Sequence, residues 1–119
     1  MRSVITNREK MKKIHIPISS CNITDTVRDY TERLMSEPCL VIEGEYAFCR
    51  TESINFSVRQ DSKSEPGSLR YLGWEDSVAL DFTEEKDVNG IAWERFSAKK
   101  QADEIKELWP DTDYLTEQF

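Results

Sequence analysis

From residue 39 to residue 96 the apolar residues either alternate with polar ones or come in short runs, and on each side of that block lies one stripe with a 3.6-residue period. A chain patterned this way has few options beyond a β-sheet faced by two helices. The first stripe is Ile23, Val27, Tyr30 and Leu34, with Asp29, Glu32 and Arg33 opposite and Thr24 or Asp25 as the expected cap. Glu37-Pro38 predicts its end, because the residue before a proline is pushed out of the α region. The second stripe is Ala98, Ala102, Ile105 and Trp109, capped by Ser97 and stopped by Pro110. Lys99 and Lys100 oppose the helix dipole in its first turn, so its start is marked less sharply than its end.

Ile14, Ile16 and Ile18 alternate with His15 and Pro17, as in a strand with one buried face. Pro17 cannot donate a ladder hydrogen bond, which predicts an edge strand, and His15 is expected on its solvated side. Residues 39–42 and 46–49 read as a hairpin turning at Glu43-Gly44-Glu45, and 54–58 as a half-buried strand. Residues 60–68 contain no apolar side chain but do contain Pro66-Gly67, a surface loop. Residues 69–74 and 78–82 read as two strands around a turn at 75–77. Residues 83–90 are a connection ending in Asn89-Gly90, and 91–96 the last strand. Tyr71, Trp74 and Trp93 sit at strand spacing and are expected in the core; an oligomeric structural subunit would instead expose Trp74 or Trp93 on the monomer. The reading is thus α+β: a mostly antiparallel, strongly curved sheet with one early and one late helix packed on it. It is a single domain over residues 14–119 behind a flexible basic tail over residues 1–13.

The 119 residues include twelve aromatics, enough for one core without staples. Cys21, Cys39 and Cys49 form no Cys-x-x-Cys pair and His15 is the sole histidine, so no zinc site is expected. Three free thiols fit a reducing cytoplasm, with Cys39 and Cys49 as small apolar fillers in strands. No apolar run is long enough to span a membrane. Met11-Lys12-Lys13 followed by an Ile-Ser-Ser-Cys ending imitates a lipoprotein signal, but its apolar stretch is shorter than the roughly 7–15 residues a signal core needs.

Enzyme chemistry finds little footing. A serine or cysteine nucleophile needs a positioned base, and the sole histidine lies among strand isoleucines. No nucleophile-elbow, Walker or dinucleotide-binding glycine pattern occurs. Asp111-Thr112-Asp113 begins like a calcium loop, but Leu115 and Thr116 occupy the positions that need an oxygen ligand and a glycine. No catalytic residue, metal or cofactor is therefore assigned. Direct nucleic-acid binding is disfavoured because the only net basic stretch is the tail.

What stands out is where the charge lies. Residues 75–119 carry thirteen acids against five bases, a net of −8, whereas residues 1–74 carry ten acids and eleven bases. Asp103 and Glu107 stand one helical turn apart, with Glu104 alongside and Asp111 and Asp113 beyond the proline. Glu84, Glu85 and Asp87 form a second cluster. A segregated field of this kind suits a basic protein surface, such as that of a nuclease or other nucleic-acid-binding protein, speeding encounter and setting register. Proteins of this size and charge include toxin-immunity proteins and phage or mobile-element inhibitors, anti-restriction and anti-CRISPR proteins among them; the likeness is one of size and charge alone. The expectation is a non-enzymatic acidic binding or inhibitor protein. The alternative is a small carboxylate- or metal-dependent enzyme with its site in a cleft of the sheet.

Overall fold

The computed structural model describes residues 12–114. Its first turn of helix shows how the local sequence works: Asn22, in extended conformation, accepts from the Asp25 backbone N–H and opens α1 (Ile23–Leu34). The cap is thus Asn22, two or three residues before the Thr24 or Asp25 expected from the sequence. Met35 ends the helix in the left-handed region at φ 51, with its N–H returned to Glu32 O and that of Ser36 to Thr31 O. This closure precedes Pro38, so the proline is not what stops the helix. The late helix α2 (Ala98–Leu108) follows expectation: the Ser97 hydroxyl accepts from the Lys100 N–H, and the chain leaves the helix at Trp109, before Pro110.

The strands are β1 (Lys12–Ser20), β2 (Leu40–Ile42), β3 (Tyr46–Arg50), β4 (Ile54–Gln60), β5 (Leu72–Asp76), β6 (Thr83–Lys86) and β7 (Ala92–Phe96). They form one seven-stranded sheet in the order β2-β3-β4-β1-β5-β7-β6. The fold is α+β, with an early and a late helix, but the sheet is mixed. β1 runs parallel to β4 and β5 parallel to β7, while the other neighbours are antiparallel.

Three expectations change. First, β1 is central, not an edge. Pro17 is accommodated because the β1–β5 ladder ends at His15↔Gly73; beyond it the loop takes over, Arg70 N–H donating to Pro17 O and Ser19 N–H to Ser68 O. Second, residues 78–82 form no strand: Val78 and Leu80 are exposed, Leu80 at 85%. The sixth strand is Thr83–Lys86, whose four residues are all exposed, as a charged edge strand tolerates. Third, Glu75 and Asp76 are not turn residues but the buried end of β5. Of the expected basic tail, Lys12 and Lys13 belong to β1, with Lys13 Nζ donating to the carbonyls of Thr51 and Glu52; residues 1–11 lie outside the described residues.

Each face of the sheet's first half carries its own apolar cluster. Ile18, Ile23 and Val58 pack with Ile16, Val27, Tyr30 and Phe56 on the α1 side. Tyr46, Phe48 and Ile105 pack with Leu40, Ile42, Trp109 and Tyr114 on the α2 side. Residues 111–119 read in the sequence either as a last turn of helix or as a tail docking Tyr114, Leu115 and Phe119; Tyr114 lies edge-on to Phe48 at 5.1 Å, and Leu115 and Phe119 lie outside the described residues. The thiols are free: Cys49 is buried, Cys39 half-buried and Cys21 exposed. Among the described residues no helix is long and apolar enough to cross a membrane.

Candidate functional site

Because β1 is central, the face of it opposite the isoleucines lies under α2. His15 is accordingly buried, at 2% exposure, rather than solvated. Its surroundings fix its tautomer. The Glu75 carboxylate can only accept, so the Asn55 amide nitrogen donates to it at 2.8 Å and also to Gln101 Oε1 at 2.8 Å. That turns Asn55 Oδ1 toward His15 Nδ1 at 3.1 Å, with Asn55 O beside it at 3.0 Å; both are acceptors, so Nδ1 carries the proton. Nε2 is then an acceptor for the Tyr71 hydroxyl at 3.3 Å. Burial pushes the imidazole pKa down to about 4, against the pull of the Asn55 bonds, so the ring is neutral. Arg50 completes the network, its Nε donating to Glu75 at 2.7 Å in a paired guanidinium–carboxylate contact.

The Tyr71 hydroxyl has one proton and two takers, His15 Nε2 and the Glu94 carboxylate. Glu94 marks where this network meets the surface. It lies on β7, brought against β5 by Gly73, where a Cβ would stand 2.5 Å from Glu94 O. Burial raises the Glu94 carboxyl above its usual range, and the charges of Glu104 and Glu84 raise it further. Glu104, though largely exposed, is raised too: burial of its carboxyl outweighs the opposing pull of Arg59 and Arg70, and Glu107 adds to the rise. Between α2 and the sheet runs a crevice of about 40 Å³, lined in part by His15, Tyr71, Arg59, Arg70, Gln101 and Glu104. It has room for a water or two.

The acids picked out by the sequence separate into groups. Glu84, Glu104 and Glu107 belong to one electrostatically coupled run with Glu94 as its middle member. Asp103 is exposed but paired with Lys99 at 3.1 Å; Asp111 and Asp113 are exposed just past α2. Glu85 points to the other face of the sheet, opposite Trp93 in the β6–β7 register. Asp87 is a turn-former: its oxygens accept from the backbone N–H groups of Asn89 and Ile91 and from the Trp93 indole at 2.9 Å. The indole above all, then those N–H groups, holds its carboxyl below the usual range. Part of the regional acidity is also internal: Glu75 pairs with Arg50, and Asp76 with Arg95 at 2.8 Å. Burial alone would raise Asp76, but the Val78 N–H and Arg95 hold it low.

Glu94 and Asn55 were missed by sequence reasoning, since each is a polar residue beside an aromatic in a strand and so reads as outward-facing, whereas Tyr71 was expected in the core but not as a partner of His15. Only the placement of α2 over that side turns them inward or toward the crevice.

On the opposite face no helix among the described residues lies over β5, β7 and β6, and Trp74 and Trp93, expected in the core, lie at the surface. Trp74 is 40% exposed and Trp93 half-buried, their rings 5.7 Å apart and inclined by 31°. They floor an open groove of about 400 Å³ with Thr83, Glu85, Lys86 and Arg95 at its sides. Among the described residues no group of three or more His, Cys, Asp or Glu is placed to hold a metal ion.

No protein-family model matches the chain. No curated protein matches it either. In three dimensions it is similar to the crystal structure of a hypothetical protein from Staphylococcus aureus, with a TM-score of 0.53 and 13% identity over 75% of this chain and 34% of that one. At that identity the likeness is one of fold. The chain spans about a third of the length of that protein.

Proposed function

We propose that this is a non-enzymatic binding protein whose carboxylate run, Glu84, Glu94, Glu104 and Glu107, engages a basic surface on another macromolecule. A partner with concentrated Lys and Arg, such as a nuclease or another nucleic-acid-binding protein, would present such a surface, and an inhibitor or immunity role would follow from covering it. The observation that carries this reading is the raised state of Glu94, where the effect of burial is reinforced by the charges of Glu104 and of Glu84, the cross-strand neighbour of Glu94. Internal cations neutralise Glu75 and Asp76, whereas at Glu94 the charges of Glu104 and Glu84 outweigh the pull of Arg70 and leave negative potential uncompensated. An incoming Lys or Arg relieves that potential.

Glu94 and Glu104 would also serve a carboxylate-dependent enzyme. What supports binding over catalysis is the crevice beside them, which has room for water but not for a substrate. The test is titration with a dye-labelled oligo-lysine peptide, followed by fluorescence anisotropy at low and moderate ionic strength. Binding should weaken as salt rises and should fall at least several-fold when Glu104 and Glu107 are both reversed to lysine. An affinity indifferent to salt and to that reversal would remove this face as the contact.

A further inference from the structure

The Trp74–Trp93 groove belongs to neither the buried network nor the carboxylate run. The geometry points to a site for an arginine side chain of the basic partner, its guanidinium laid on the exposed indole surface of Trp74 and Trp93 and paired with the Glu85 carboxylate. The inference rests on the acidic-face reading for the sign of the partner's charge and adds where, and by which side chain, the partner is anchored.

Three observations carry it. Glu85 and Trp93 are direct cross-strand neighbours in the β6–β7 register, which sets their side-chain origins roughly 5 Å apart on one face. An indole face with a carboxylate beside it is what a planar guanidinium requires, stacking on the ring while its edge donates to the carboxylate. Among the described residues, neither cation beside the groove fills the place. Arg95 is held by Asp76, whose side chain is 2% exposed. Lys86 is opposite Ala92, one register position from Trp93, so its side chain leaves from the other side of the pleat and borders the groove only at its edge. The aromatic floor is also fixed rather than collapsible, because the Trp93 indole N–H is tied to Asp87. A second copy of this chain fits less well, since each copy carries a net charge of −7.

The test compares dye-labelled oligo-arginine and oligo-lysine peptides of equal length on the full chain and on Trp74→Leu and Glu85→Gln. Trp74→Leu keeps apolar area but removes the π face, and Glu85 is exposed, so its change leaves the fold intact. The expected result is about two- to thirty-fold tighter binding of oligo-arginine than of oligo-lysine. Both substitutions should shrink that preference while oligo-lysine affinity changes little. Equal affinity for the two peptides, or a preference that survives Trp74→Leu, overturns the groove assignment and leaves the acidic-face reading standing. If neither peptide binds at low salt, both readings fall. Sedimentation showing a dimer in which Trp74 fluorescence shifts to the blue with concentration would assign the groove to a second copy and overturn the arginine site.

Discussion

The half of the sheet made by β2, β3, β4 and β1 is covered on both faces; the half made by β5, β7 and β6 is bare on the face where Trp74 and Trp93 lie. A helix about 10 Å across shields about two strands spaced about 4.8 Å apart, so one helix per face cannot cover seven strands. The difference teaches that an alternating strand has no fixed inside. Where α2 lies over β4 and β1, the polar residues His15, Asn55 and Ser57 are core. Where no helix among the described residues lies over β5 and β7, tryptophans are surface. Stability should therefore be concentrated in the covered half and adaptable contact surface in the bare one.

The largest expected effect breaks the covered half at its centre. Asn55→Ala removes the partner shared by His15, Glu75 and Gln101 and should cost about 3–5 kcal/mol in denaturant unfolding, because it strands several buried polar groups at once. A loss under about 1 kcal/mol would show the network to be hydrated and the two halves to be less different than described. Next in size is a pH effect from His15. Its folded pKa is about 4 against an ordinary 6.5, so its contribution is complete above 6.5 and is lost as pH falls toward 4. On the order of 3 kcal/mol should disappear over that interval. Following the imidazole resonances by NMR through the same titration checks the assignment, and a midpoint near 6.5 would contradict the buried, neutral ring.

Gly73→Ala tests the seam between the halves. The added carbon would meet Glu94 O at 2.5 Å, a backbone atom that cannot rotate away, so β5 and β7 must separate. The expected cost is about 2 kcal/mol. The new strain should also perturb Glu94 and the Tyr71 hydroxyl in NMR spectra more than anything around Phe48, on the far side of β4.

Much of this fold is legible in the residue pattern alone. The two stripes with a 3.6-residue period are α1 and α2, the 43–45 turn closes a hairpin with Gly44 at φ 74, and Ser97 caps as expected. The errors share one cause. Pro17 suggests an edge because a missing donor is local information, whereas the loop at Ser68 and Arg70 that relieves it is fifty residues away in sequence. Residues 78–82 look like a strand by apolar content, yet Leu80 is left exposed and the run at 83–86 pairs instead. The candidate site is legible as a charge imbalance but not in its membership. Glu94 joins it and Asp87 leaves it through contacts, to Tyr71 and Trp93, that no spacing rule contains.

The smallest effect is also informative, because its sign separates an exposed carboxylate from a buried, paired one. Glu104 has a folded pKa raised above its ordinary 4.5. Its charged form is thus penalised in the fold, and stability falls as pH rises from 4.5 through the folded value. Replacing it with glutamine removes the penalty. Glu104→Gln should be about 0.5 kcal/mol more stable than the natural chain at neutral pH, allowing for the solvent that screens so exposed a group, or about 2 °C in melting temperature. Below the ordinary carboxylate range, where glutamic acid is already neutral, the two proteins should melt together. Glu75→Gln, which leaves Arg50 without its carboxylate, should do the reverse and destabilise at neutral pH by several times as much. If both substitutions destabilise, Arg59 and Arg70 hold Glu104 in a structural ion pair, and the uncompensated potential on which the binding face depends is not there.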